Sequence, residues 1–547
     1  MFRNNRLKRA VGAITLLTLP VLYSSTVYAD AAAPISAEDL LQLMQFEGLI
    51  SKEQAEKVKN IAKDRVSREN QAPVEYTSQE DKDKPAATEP GVTRVPYIPQ
   101  YLKDEIRDEV RMELKEEVVN DVMAQAKTES WGVPGTNPDW TKRIKFKGDI
   151  RFRYQGERFD NGNSTQYQNF NAINDAGGTT AAGTDAFINT TEDRDRLRLR
   201  ARLGMEAKVT QGVTASIRLA TGDPDDPVST TQTLGNYGGD YQISLDQAFI
   251  RFNPMGNEYQ LTLGRMPNPW LSTELVWDDD LNFDGAAFSY YFNRGDDMYD
   301  DEQQFDPFIT VGAFPLQEVQ LSGNDKWLYG AQFGFSYLTS KQNELKMGLA
   351  YYYFDNISGI KNTPDSTLTN YSAPPFVQKG NTMFDISNST TNPQAELWAL
   401  AADYQELDLS VVYDMANFAP IHVIFTGDYV ENIGYDRSKM QSRAGASVEG
   451  RTTGYDLGIN VGWPTVLQRG NWNAGLNYRY LERDAVVDAF TDSDFHLGGT
   501  DGQGYKLSFR YGIEENTWTQ LRLISTNEID GPPLGVLTVL ADLNVKF

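Results

Sequence analysis

The chain has 547 residues, 40% of them hydrophobic, and a formal charge of −25. That charge argues against general nucleic-acid binding, and the absence of cysteine excludes disulfides and thiolate metal sites. His422 and His496 are the only histidines, so imidazole-based metal or triad chemistry has little to work with.

Arg3, Arg6, Lys8 and Arg9 precede an apolar run from Ala10 to Leu22, and Val27-Tyr28-Ala29 supplies small residues suited to cleavage. Residues 1–29 therefore read as a Sec-type signal peptide, with a core too short for a spanning helix. With no cysteine at that point, lipoprotein processing is excluded. Residues 30–70 read as a short helical hairpin. Leu40, Leu41, Leu43 and Met44 form one apolar stripe, Gly48 ends that helix, and Ser51 with Gln54 makes a capping box for the next. A periplasmic interaction module and a self-packed hairpin both fit this pattern. Residues 71–100 carry five prolines among polar residues and read as an extended linker. In residues 101–128, Leu102, Ile106, Val110, Leu114, Val118 and Val122 recur every fourth position among charges. That spacing gives an amphipathic helix and does not support a strict heptad coiled coil.

From Lys142 to Phe547 the period is two. Ile144, Phe146, Ile150, Phe152 and Tyr154 alternate with Lys145, Lys147, Asp149, Arg151 and Arg153. The run from Arg194 to Val209 places Arg196, Arg198, Arg200 and Arg202 on one strand face, and Leu197, Leu199, Ala201 and Leu203 on the other. A soluble sandwich would bury the leucines; a membrane barrel would turn them to lipid and the arginines to a wet lumen. Beyond the first thirty residues no apolar run approaches the roughly 20 residues of a spanning helix, so a membrane reading requires a barrel. Long and short connections alternate along some sixteen segments, with Tyr and Trp at segment ends suited to two aromatic girdles. The count closes only if Glu396 to Tyr413 is one long strand with a β-bulge between Tyr404 and Leu407. The connection Asn293–Asp306 is long and acidic for a short-turn rim.

The expected fold class is all-β: a transmembrane antiparallel β-barrel over residues 142–547, preceded by a small helical periplasmic region. Leu263-Gly264-Arg265-Met266-Pro267-Asn268-Pro269, the stretch Arg479 to Phe495 and the terminal Phe547 resemble the "putative porin" family of Gram-negative outer membranes. The resemblance implies a channel passing small hydrophilic solutes or ions, with outer-membrane lipid around it. It leaves the solute open, and by analogy with porins of this strand number it implies a homotrimer. A competing expectation is an envelope tether, in which the N-terminal helices hold peptidoglycan or a periplasmic protein. A barrel enzyme would need a nucleophile beside an activating base, which two isolated histidines do not supply.

In porins of this size the third long loop folds inward and sets carboxylates against a basic wall. The corresponding loop here is Arg265–Leu281, with Asp278, Asp279 and Asp280 as candidate constriction acids. The facing wall would be Arg151, Arg153, Arg196, Arg198, Arg200, Arg202, Arg218 and Arg251. The alternative is that these arginines pair with Glu157, Glu206, Asp246 and neighbours and simply brace the wall. Acidic loops such as Asp223–Asp226 match no calcium-loop spacing, so no metal and no cofactor is expected.

Overall fold

A computed structural model describes residues 143–253, 258–293, 305–320, 322–339, 343–445 and 448–547. The expected signal peptide, helical hairpin, linker and charged helix lie outside these residues, as does most of the Asn293–Asp306 connection.

Sixteen long antiparallel strands form the wall. In chain order they are β1 (Ile144–Phe159), β2 (Arg194–Thr210), β3 (Val213–Thr221), β4 (Ile243–Phe252), β5 (Tyr259–Pro267) and β6 (Asn282–Tyr291). Then come β7 (Phe305–Gln317), β8 (Lys326–Leu338), β9 (Asn343–Asp355), β10 (Gln405–Phe418) and β11 (Ile421–Asn432). The last five are β12 (Thr453–Gly462), β13 (Trp472–Leu481), β14 (Gly502–Glu514), β15 (Thr517–Glu528) and β16 (Gly535–Lys546). Each pairs with its neighbour in sequence, and β16 returns to β1 with Ile150 opposite Val545. The carbonyl and amide of Phe547 both bond Gly148, at 2.8 and 2.9 Å, so the terminal aromatic extends this seam. Closure leaves no unpaired edge, the condition for strands to cross hydrocarbon.

The period of two divides the wall as the sequence suggests. Leu197, Leu203, Leu245, Leu457 and Leu507 stand on the outer face, each about half exposed. Arg153, Gln332, Asp408, Asp428 and Arg479 point inward and are buried among the loops. Aromatics ring both rims. Tyr329, Tyr353, Tyr455, Tyr480 and Tyr505 lie toward the long loops, while Trp463 and Trp472 meet near the short turns.

The expected long strand from Glu396 to Tyr413 is corrected. The segment Trp398–Leu400 leaves the wall and pairs instead with Met383–Asp385 inside the 356–404 loop. Ala399, Leu400, Ala401 and Ala402 are completely buried there, so the switch of parity marks a change of element and not a bulge in one strand. A true bulge occurs in β4, where Arg218 faces Gln247 but the next residue, Leu219, faces Leu245. The extra residue is Asp246, so Asp246 and Gln247 are both drawn inside and buried.

Candidate functional site

The connection from β5 to β6, residues 268–281, lies across the interior. Gly264, in the Leu-Gly-Arg-Met-Pro motif, prepares its entry. Its φ is +115°, and a Cβ there would stand 2.3 Å from the Ala248 carbonyl, so only glycine lets β5 run this close to β4. Asn268 then accepts from the Trp270 amide at 2.9 Å, a local turn that aims Trp270 at the wall. Gly330 on β8 leaves the slot for that indole, since a Cβ would be 2.6 Å from it.

From there the loop is fastened all round the barrel. Gln332 on β8 accepts from the Leu271 amide and donates to its carbonyl, both at 2.8 Å. Asp428 on β11 accepts from the Thr273 hydroxyl at 2.6 Å and its amide at 3.2 Å. Glu274 pairs with Lys506 on β14. Trp277 meets Tyr352 on β9 edge-on at 5.0 Å and Phe283 at 5.1 Å, joining loop and wall in one apolar cluster. Offset aromatic pairs of this kind add about 0.5–1.5 kcal/mol beyond burial.

The three candidate acids part company. Asp280 touches the basic wall: its carboxylate accepts from Arg202 at 3.1 Å, Arg200 at 3.4 Å and the Thr230 hydroxyl at 3.1 Å. Burial would raise its pKa, but Arg200 and Arg202 hold it below the usual carboxylate range. Asp278 is buried under the 482–501 loop, accepting from the Ser493 amide at 2.9 Å. Burial and the neighbouring Asp492 push its carboxyl well up. Asp279 alone is exposed. The charge of Glu274, with the protein packed around it, pushes Asp279 up to about 7.

The basic residues gather at one sector. β1 and β2 put Arg151 directly opposite Arg200 and Arg153 opposite Arg198, like-charge pairs that would destabilise a bare sheet. Carboxylates offset them. Asp149 bonds Arg200 and Arg202 at 3.0 and 2.7 Å. Asp542 and Asp494 bond Arg153 at 2.7 and 3.0 Å. Arg196 pairs with Glu157, and Arg218 with the bulged Asp246. Two of the carboxylates named for bracing thus brace, whereas Glu206 holds Lys147 at 2.7 Å. Arg151 and Arg198 have neutral partners: Arg151 donates to Thr231 at 2.5 Å, and Arg198 to Gln155 at 2.9 Å and the Thr231 carbonyl at 3.1 Å. Arg251 lies next to Phe252 at the end of β4, by the short β4–β5 turn, its guanidinium 5.2 Å from the Phe249 ring, apart from the loop acids.

The basic sector also extends beyond the eight arginines named from sequence. It continues across the β16–β1 seam to Arg522, Arg510 and Lys506 on β15 and β14 and to Arg479 on β13. These are met by a second inward loop, residues 482–501. Its Asp492 bonds Arg479 at 3.2 Å, and its Asp494 bonds Arg153 and Arg522, each at 3.0 Å. His496 is buried between Thr526 and Glu528 at 2.9 and 2.7 Å, a structural setting. The Arg479–Phe495 stretch that carried the family resemblance is thus β13's end plus this loop. Inward parity of Arg510 with Lys506 and Ser508 was the available signal for the extension.

A family model described as "Putative porin" matches residues 35–547. The chain belongs to that family. The fold of this porin is similar to solved outer-membrane proteins at low identity. Pseudomonas putida OprB is 11% identical, covering 76% of this chain and 97% of its own, with a TM-score of 0.43. An anion-selective porin from Comamonas acidovorans is 11% identical over 74% and 99%, at 0.39. The outer-membrane channel DcaP of Acinetobacter baumannii is 11% identical over 74% and 97%, at 0.37. No curated protein matches the sequence. The porin is an outer-membrane channel of a Gram-negative bacterium.

Proposed function

We propose that this porin passes small hydrophilic solutes by passive diffusion, and that its narrowest passage runs between the 268–281 loop and the basic sector. The observation that carries this reading is the fastening of one loop to β2, β8, β11 and β14, strands spread around the whole wall. A loop held at four points across a lumen must divide it. Asp279 on the loop and Arg151, Arg198 and Arg510 on the wall are then the charges an ion meets, less screened than on an open surface. In this reading Asp278 is an anchor and Asp280 a bolt, and Arg153, Arg196 and Arg218 hold the wall's shape. The short-turn rim faces the periplasm, as in bacterial barrels generally, and with it the N-terminal region that follows the signal peptide.

Planar-bilayer recording tests this. The purified porin should give conductance steps, and replacing Trp270 to Asp279 by a shorter Gly-Ser linker should enlarge them. A protein without steps in any salt would remove the channel reading. Steps of unchanged size after the replacement would remove the loop as the constriction.

A further inference from the structure

On the long-loop side of the 268–281 loop lies a cavity of about 640 Å³, within the size range of small-molecule sites. One part of its lining is aromatic: Trp277, Phe283, Phe314, Phe376 and Phe490. The rest is acidic. Six carboxylates line it against two cations, and both cations are engaged. Arg265 is held by Asp284 at 3.0 Å, and Lys326 donates to the Ala373 carbonyl at 2.7 Å.

The most telling group is Asp488. It is 2% exposed, its amide donates to Asn381 and its carbonyl accepts from Gln378, both at 2.8 Å, so its position is fixed. Yet among the described residues its Oδ1 has no hydrogen-bond partner. A buried acceptor without a donor costs about 1–3 kcal/mol, and Asp488 is among the residues that line this cavity. Aromatic faces beside a carboxylate suit an organic cation, which gains from the ring quadrupole and from a charge-assisted hydrogen bond. Exposed Asp223 and Asp225 on the same lining add attraction for the same sign of solute.

Resting on the channel reading above, we propose that this cavity is a saturable subsite for a protonated amine carried on an aromatic or compact apolar body, with Asp488 Oδ1 accepting from the ammonium. The cavity shares Trp277 and Leu281 with the loop that bounds the proposed passage, so occupancy obstructs ion flow.

The test is block of KCl current in planar bilayers by 2-phenylethylammonium, against 3-phenylpropionate and butylammonium as charge and ring controls. The aromatic amine should block saturably, with half-block at least about tenfold below either control. Asp488→Asn should raise its half-block about tenfold or more. Heat-modifiable gel mobility reports whether that variant folds; if it does not, the exposed-loop double variant D223N/D225N decides, with a raised half-block expected. Equal block by the carboxylate, or an unchanged half-block in folded D488N or in D223N/D225N, overturns the proposal. A wild-type protein with no KCl current at all overturns the channel reading, and this one falls with it.

Discussion

Replacement of Arg198 by alanine gives the sharpest reading of the basic sector. Among the described residues its guanidinium bonds only the Gln155 side-chain oxygen and the Thr231 carbonyl, so its removal strips a full charge and leaves no carboxylate there without a hydrogen-bonded cation. A unit charge about 8 Å from a passing ion, at an effective dielectric constant near 20, is worth about 2 kcal/mol. At 0.1 M salt, with a Debye length of about 10 Å, somewhat under half of that survives, about 1 kcal/mol. That is a factor of about five lost to an anion and gained by a cation, so the anion-to-cation permeability ratio should fall roughly 20-fold. At 1 M salt, where the Debye length is about 3 Å, under a tenth of the interaction remains and the ratio should change less than about twofold. Reversal potentials across KCl gradients measure both, and Arg198→Lys, which keeps the charge, should leave the ratio nearly where it was. If the alanine and lysine variants behave alike, or the alanine effect persists undiminished at 1 M, Arg198 does not act on ions in the passage.

Other outcomes follow from the same geometry. Asp279 is held up to about 7 by Glu274 and its surroundings, so it gains its negative charge as pH rises from 6 to 8. Selectivity should move toward cations over that interval, and Asp279→Asn should flatten the profile; an identical titration in the variant would assign it to another group. Asp494 joins Arg153 and Arg522 at 3.0 Å each, in a cluster where Arg153 is 1% exposed. Removing one member of a buried ion cluster costs about 3–5 kcal/mol. Asp494→Asn should therefore lower the temperature at which the barrel loses its folded gel mobility, well below that of D223N; equal transitions would contradict a tie between loop and wall.

The wall was legible because its signal is local. A residue on β2 declares its face by parity alone, and the Arg194–Val209 run fell on one strand almost residue for residue. The inward course of the 268–281 loop was legible in position, third among the long loops, but its contacts were not. Nothing in Trp277-Asp278-Asp279-Asp280 says that adjacent acids will meet a backbone amide, open water and two arginines. The 482–501 loop shows the limit more clearly. Asp494 meets Arg153 across 341 residues of sequence, a pairing that exists only because β16 returns to β1. The segment from Glu396 misled for a related reason: a run of small apolar residues fits a lipid-facing strand and a buried loop sheet equally well.

Because the chain contains no cysteine, single cysteines can be placed along β2 from Leu197 to Leu203 without background. A barrel wall with lipid on one face and water on the other requires a strict alternation. Positions 197, 199, 201 and 203 should label with a reagent confined to the hydrocarbon phase, and positions 198, 200 and 202 should label only with a small water-soluble one. Loss of that alternation, or odd positions protected from both reagents as in a buried soluble core, would contradict a barrel with lipid outside and water within.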